Sequence, residues 1–453
     1  MKLVRYTWHP GLRVRCGGAA DSTLPYTGAA VVAEDRSLNT PTLRPDQPRS
    51  QIGDELTCLS IVWHPDVRRV GSCAFLGLDR DGETVALSRL EPNFIRLRPP
   101  GQAGIPLGDP AVSRRPIELA MRGDQLVVRC DPAGSALTVD QQPVNGSIAV
   151  DRAAIERGIV LILAERIALL LHRRPLPRPE LDDCDVIGSS PAADRLRAAI
   201  ERAAHSSAPT LVCGDSGVGK TRVARAIHAR SARASGPFVK ANMASLASKT
   251  AAVQLFGRAA GMPSGTIRGK RGFFTQAEGG TLLLDDIGET TIDVQAMVLR
   301  AIETRQIHMA GADTPVKIDV RVIAASDSEL EPAARAGRFR AALLASLSGE
   351  SVAVPPLCER REDIAPLLID ILSDELRRAG QPDHLAERAP EAPMWLHPDL
   401  VAHLLRYHWP GNIRELRSVA RHMVAANRDG TVIQLDPLLQ NLIGIHTHTS
   451  PAG

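Results

Sequence analysis

Gly214-Asp215-Ser216-Gly217-Val218-Gly219-Lys220-Thr221 is a complete G-x-x-x-x-G-K-[ST] phosphate loop. Its glycines let backbone N–H groups curl round phosphates, Lys220 supplies a point charge, and Thr221 offers a hydroxyl to Mg2+. Apolar Thr210-Leu211-Val212-Cys213 leads in as a predicted strand, and Arg222–His228 leads out as a predicted helix. The phosphates then meet a helix N-terminus. The stretch predicts a nucleoside triphosphate site in an α/β domain.

A second acidic signature lies downstream. Thr281-Leu282-Leu283-Leu284 runs into Asp285-Asp286, an apolar strand ending in carboxylates. Ligands of open α/β sheets bind at that carboxyl edge. Asp285 is the candidate Mg2+ partner, and Asp286 the candidate base that orients an attacking water. A further strand is expected at Val320–Ala325, so strands alternate with longer helices from Val186 onward, the pattern of a parallel sheet. Past Pro356 the chain reads as helical, over Asp363–Arg378, Asp399–Tyr407, Ile413–Ala426 and Asp436–Leu442.

Towards the N-terminus the period changes. Short stretches such as Leu59–Trp63, Thr84–Leu87, Gln125–Arg129 and Ala136–Val139, separated by Gly, Pro, Asp and Asn, predict an antiparallel β-sandwich. Cys16–Pro48 is rich in Gly, Pro, Ser and Thr and reads as irregular. Arg173–Pro179, rich in Pro and Arg, reads as a semi-rigid linker. The expected organisation is multidomain: an irregular segment 1–52, an all-β sandwich 53–173, a linker 174–184, an α/β nucleotide-binding unit 185–355, a helical lid 356–430 and a tail 431–453.

The 453 residues suffice for two or three domains, and aromatics at 3% leave the cores to Leu, Val, Ile and Ala. A formal charge of +3 does not argue for a nucleic-acid or membrane surface. Seven cysteines without a C-x-x-C pair read as reduced thiols with no zinc site. No signal core follows Met1, and no apolar run is long enough to span a bilayer, so a cytoplasmic protein is expected. His446 and His448 read as part of a polar terminus rather than a metal site.

From Val186 to about Ala426 the chain resembles the AAA+ domain of sigma-54-dependent transcriptional activators, the bacterial enhancer-binding proteins. The matching residues are Ile187-Gly188-Ser189-Ser190-Pro191, the phosphate loop, Gly236–Val239 with Asn242, Leu255-Phe256-Gly257 and Gly279–Glu289. Val320–Ala325, Gly337-Arg338-Phe339-Arg340, Glu359–Ile364 and Trp409–Leu416 continue the match. The resemblance implies a ring-forming, homo-oligomeric ATPase that uses ATP and Mg2+ to remodel sigma-54 RNA polymerase. It assigns Arg414 as the lid arginine that senses the γ-phosphate, Ile187 to the nucleotide, and Asn242 as the residue that holds the catalytic carboxylate. It assigns Arg340 as a finger reaching a neighbour's site.

Four positions depart from the family pattern. Asp286 replaces the family's Glu, drawing the carboxylate back by roughly one C–C bond, ~1.5 Å. Ser346 stands where a second trans arginine is usual, six positions after Arg340. Asp327 replaces an Asn and puts an acceptor where a donor is expected near the γ-phosphate. The loop that touches the sigma factor becomes Gly261-Met262-Pro263-Ser264-Gly265-Thr266, with Pro263 in place of the contacting aromatic. Met262 is the substitute apolar contact; a loop without a polymerase role is the competing reading. Beyond Arg414 no recognition helix with its scaffold fits, so no sequence-specific DNA binding of its own is expected.

The sandwich region resembles a forkhead-associated (FHA) domain, on Leu87-Ser88-Arg89, Gly108–Arg114 and Gln142–Gly146. The resemblance implies that Arg89, Ser113 and Arg114 hold a phosphothreonine, so that a Ser/Thr kinase substrate becomes a partner. The family's histidine after Ser-Arg is Pro116 here. A purely structural sandwich with surface arginines stands as the equal alternative. For the whole chain two functions remain open: a sigma-54 activator gated by the FHA-like module, and a hydrolysis-impaired ATP-binding adaptor that modulates a partner ATPase. A GTPase is disfavoured by the lack of Asn-Lys-x-Asp.

Overall fold

The computed structural model describes residues 55–98, 103–176, 182–259, 270–327, 329–386, 393–428, 430, 432–434 and 436–443. The segment Cys16–Pro48, the sigma-contact loop 261–266, residues 177–181 of the linker, and His446 and His448 lie outside the described residues.

Residues 56–174 form a β-rich module of two antiparallel sheets. One sheet has seven strands, with Leu56–Trp63 and Ile167–Arg174 paired at its centre. The other has four, with Ile117–Arg122 and Gln125–Arg129 in the middle. Successive strand side chains point to opposite faces. Leu161, Leu163, Leu169 and Leu171 therefore enter the core between the sheets, against Leu119, Met121, Leu126 and Val128. The alternate residues Val160, Ile162, Ala168 and Leu170 face the other way and pack against the lid helices. The seven-stranded sheet is thus covered on both faces, which is why Ile159–Leu163 and Ile167–Leu171 read as unbroken apolar runs.

The strand Ile167–Arg174 runs further than the sequence suggests. Arg173 and Arg174, read as the start of the linker, are its last two rungs, paired with Thr57 and Leu56. Arg174 is buried, at 1% exposure. The Pro- and Arg-rich composition masked a strand end whose charge is answered inside the protein.

The second unit is a five-stranded parallel sheet. From one edge its strands are Phe238–Asn242, Thr281–Asp285, Arg321–Ser326, Thr210–Cys213 and Glu350–Ala353. The central strands are buried on both faces and nearly all apolar, as parallel strands flanked by helices must be. Helix Pro191–His205 opens with Ser190, whose hydroxyl accepts the Ala193 N–H at 2.9 Å, and has Pro191 in its first turn. Helix Lys220–Ala229 follows the phosphate loop directly.

The lid comprises helices Ile364–Arg378, Pro398–Arg406, Asn412–Ala426 and Pro437–Leu442. Leu368, Ile371, Leu404, Leu405, Leu416 and Val419 join one apolar core with Trp63, Ile162 and Leu170 of the β-rich module. The lid therefore packs on the module, and it meets the nucleotide-binding unit at the phosphate loop. Among the described residues, no helix is long and apolar enough to cross a membrane.

Candidate nucleotide site

The phosphate loop leaves its strand at the carboxyl edge and turns on three glycines with positive φ: Gly214 (152°), Gly217 (82°) and Gly219 (105°). A β-carbon on Gly217 would sit 2.2 Å from the Gly411 carbonyl oxygen of the lid, so only glycine permits that approach. Lys220 Nζ donates to the carbonyls of Gly214 (2.7 Å) and Asp215 (3.0 Å), which curls the loop round its ammonium. Burial lowers the Lys220 pKa, and the carboxylates of Asp327, Asp286 and Asp285 work against that.

Thr221 Oγ1 donates to Asp285 Oδ2 at 3.4 Å. A hydroxyl and a carboxylate side by side are oxygen ligands suited to Mg2+, which usually takes one or two carboxylates together with substrate phosphates and water. The residues present fit that ion, with Thr221 and Asp285 as its protein side. A Lys240 ammonium also sits there, 2.6 Å from Asp285 Oδ2 and 3.3 Å from Thr221 Oγ1. Among the described residues, no group of three or more His, Cys, Asp or Glu offers a self-sufficient metal centre.

The lid closes the loop from above. Arg414 Nη1 donates to Ser216 Oγ at 2.9 Å, and its backbone N–H to Gly217 O at 3.3 Å. Beside this junction lies a cavity of about 480 Å3, walled by Val186, Ile187, Val218, Thr221, Ile371 and Ile413 among others. It reaches the phosphate loop at Val218, Gly219 and Thr221, with Asp370, Arg360 and Arg417 also on its wall. Ile187, Gly214–Thr221, Asp285 and Arg414 are thus brought together as expected.

Asp286 begins the next turn in the left-handed region, at φ 57° and ψ 46°. Burial raises its pKa, and the neighbouring Asp285 and Asp327 raise it further. Asn242 ends its strand in register with Asp285. Its Oδ1 accepts the Ser245 N–H at 3.3 Å, capping the short turn that follows its strand. Among the described residues no hydrogen bond joins it to Asp286. Arg340 is exposed, its Nε donating to Ile292 O at 3.1 Å, at the start of helix Ala341–Leu347, which also carries Ser346.

At the far end of the β-rich module, the Arg89 N–H donates to Ser113 O at 3.1 Å and the Gly108 N–H to Arg89 O at 3.0 Å. Asp109 fixes the intervening loop through the buried Arg166 (3.3 Å). Arg89 and Ser113 are neighbours, with Arg114 exposed beside them. Arg115, which the sequence reading passed over, donates its N–H to Ser113 Oγ at 3.0 Å and pairs with Asp131 at 2.8 Å.

The family described as Sigma-54 interaction domain matches residues 186–353, and the AAA+ ATPase lid domain matches residues 358–452. The sigma54-dependent transcriptional activator SfnR of Pseudomonas putida is 36% identical over 263 residues, covering 58% of this chain and 69% of SfnR. The chain belongs to the sigma-54-dependent activators. The DNA-binding transcriptional regulator NtrC of Escherichia coli K12 is 40% identical over 237 residues, 52% of this chain and 48% of NtrC. The anaerobic nitric oxide reductase transcription regulator NorR of Vibrio vulnificus YJ016 is 39% identical over 59% of this chain and 50% of NorR. The chain thus spans about half the length of these two relatives. In fold, it is similar to NtrX from Brucella abortus, with a TM-score of 0.50 at 34% identity, covering 55% of each chain.

Two further residues, Asn412 and Lys240, stand at the site in this member of the sigma-54-dependent activators. Asn412 is buried with φ 53°; its Nδ2 donates to Ser216 O (3.1 Å) and its Oδ1 accepts the Leu357 N–H (2.7 Å). It ties lid to loop two residues before Arg414. Its place in Trp-Pro-Gly-Asn was the available signal. Lys240 had none, because a lysine on an edge strand reads as a solvated charge. The electrostatics of this activator's site carry a prediction. If Asp286 acts ionised, Asp327→Asn removes one charge that holds its pKa up, so the acidic limb of the kcat/KM–pH profile moves to lower pH. An unmoved limb would show that another group controls it.

Proposed function

We propose that the chain is an ATP-binding regulator of sigma-54-dependent transcription, in which the β-rich module is an FHA-like reader of phosphothreonine and the AAA+ unit assembles into homo-oligomeric rings. The observation that carries the ATP reading is the junction of Lys220, Thr221 and Asp285 with Arg414 across the cavity beside Ile187. Lys220, Arg414 and the loop N–H groups take the phosphates. Thr221 and Asp285 take Mg2+, which supplies charge neutralisation on the phosphoryl oxygens. Asp286 orients the attacking water, and the exposed Arg340 serves a neighbouring subunit. Sigma-54 is the partner through the loop 261–266, and Arg89, Ser113 and Arg114 take the phosphothreonine of a kinase substrate.

One feature favours the second reading, a slow or silent ATPase that works as an adaptor. Asp286 is one methylene shorter than the family's Glu, which holds its carboxylate back from an attacking water by roughly 1.5 Å. Equilibrium binding of a fluorescent ATP analogue, steady-state phosphate release at high protein concentration, and co-precipitation of sigma-54 in a trapped-nucleotide state test the pair. Binding with turnover and capture supports the activator. Binding without turnover leaves the adaptor, and no binding removes both.

A further inference from the structure

The turn Arg360–Asp363 lies where the phosphate loop, the lid and the β-rich module meet. Arg360 Nη2 donates to Val218 O of the loop at 3.4 Å. Arg361 donates to Leu405 O of the lid at 2.9 Å and to Arg157 O of the module. Glu362 faces His172 (3.4 Å) and Arg174 (3.7 Å) on the module's last strand. Asp363 accepts the N–H groups of Ser189 (2.7 Å) and Ser190 (2.9 Å) and the Ser190 hydroxyl (2.6 Å). Four consecutive side chains therefore touch the phosphate loop, the lid, the β-rich module and the Ser189–Ser190 segment.

Arg174 completes the arrangement from the opposite side, its Nη2 donating to Ser189 O at 2.6 Å. The Ser189 residue is held at its N–H by the lid's turn and at its carbonyl by the β-rich module. Ser189 lies two residues after Ile187, which walls the 480 Å3 cavity. On its other side Val186–Ser189 borders a second cavity, of about 270 Å3, with Gly71, Arg96 and Arg98 of the module across it. With space on both sides, close packing does not fix this segment; hydrogen bonds do, from buried Arg197 to the Val186 (2.6 Å) and Gly188 carbonyls, and from the two-sided clamp at Ser189.

The clamp is costly to hold. Arg174 and Glu362 are both mostly buried, yet Arg174 Nε and Nη1 and Glu362 Oε1 have no hydrogen-bond partner among the described residues. A buried ion pair that is only partly satisfied returns little net stability. His172 is neutral, because burial, with Arg174 and Arg361 nearby, holds its pKa down at about 3, so it adds no compensating charge. The contact therefore suits a position that is held when the module docks and released when it does not.

We propose that Arg174 is a positioning residue for the nucleotide site: docked against Ser189 and Glu362, it lets the β-rich module hold Val186–Ser190 in the shape that receives the nucleotide base. Module docking and nucleotide affinity are then linked, each strengthening the other by the same factor. This rests on the ATP-binding reading above but not on phosphothreonine recognition or hydrolysis.

The test is equilibrium titration of the full chain with a fluorescent ATP analogue, for wild type, Arg174→Met, Glu362→Gln and the double variant, with thermal melts recording folding. Each single variant is expected to weaken binding about tenfold, within the usual range of coupling between sites. The double variant is expected to be no weaker than the worse single, because both act through one clamp. Arg174→Lys keeps a charge beside Glu362 but lacks the planar fork that also reaches Ser189. It should bind with intermediate affinity, and it decides the matter should Arg174→Met not fold. Folded Arg174 variants that bind within twofold of wild type, or fully additive losses in the double variant, overturn the proposal. A wild-type chain that binds no analogue fails the ATP reading itself, and the coupling falls with it.

Discussion

Asp286→Glu is expected to raise ATP turnover by about two orders of magnitude while leaving ATP affinity unchanged. Displacement of a reacting group by ~1 Å costs on the order of 10²-fold, and the added methylene advances the carboxylate by roughly 1.5 Å. Affinity rests on other groups: Lys220 inside the loop, Thr221 beside Asp285, and Arg414 on Ser216. The structure adds a cost that spacing alone does not show. Position 286 has φ 57°, where Asp is better tolerated than Glu because its short side chain bonds locally. The variant should therefore lose about 1 kcal/mol of stability in exchange for its rate. Steady-state phosphate release at a protein concentration that supports assembly measures the gain, and a melt measures the loss. Unchanged turnover would move the defect from Asp286 to the missing arginine at Ser346, and Asp286→Glu combined with Ser346→Arg would then be the active form.

Gly188→Ala is expected to reduce ATP affinity by about 10²-fold, by unseating the segment that Ser189 belongs to. Gly188 has φ 113°, and a β-carbon there would lie 2.1 Å from Asp363 Cγ and 2.3 Å from its Oδ1. Asp363 has nowhere to retreat. It is fully buried and bound to three donors, and burial, reinforced by Glu362, pushes its pKa up to about 6. The backbone conformation alone costs about 1–3 kcal/mol in a residue with a side chain, and the clash adds displacement of the Ser189 and Ser190 N–H groups. Gly82→Ala is the control: its φ is 83°, yet nothing lies within 4 Å of the added carbon. That variant should pay the backbone strain and bind ATP normally. Equal affinities for wild type and Gly188→Ala in the same titration would show that the segment does not shape the site.

Much of the nucleotide site was legible because its signals are local. The strand Thr210–Cys213 and the helix after it follow from a few consecutive residues, and Thr84–Leu87 and Gln125–Arg129 were readable by alternation alone. The lid helices fall within a residue of their periodic patterns, ending for example at Arg378 and Ala426. The link from Asn242 to the carboxylate comes from resemblance by position, and the structure adds a local role, its Oδ1 accepting the Ser245 N–H three residues on. Arg173 and Arg174 were read as linker because two charges before prolines look like solvated chain.

Sequence alone determined that a phosphate loop, an acidic strand end and a lid arginine occur in order, each with the short-range pattern that builds its element. It also showed unbroken apolar runs at Ile159–Leu163 and Ile167–Leu171, without showing what covers their second face. Only the tertiary structure decided that lid helices cover it, that Asp363 grips Ser190 across 173 positions, and that Arg174 closes on Ser189 from the β-rich module. The physical reason is range. Helix and strand periodicities are set within a few residues, whereas the partner of a buried charge is chosen by how whole domains pack, and a stretch of sequence holds no record of that choice.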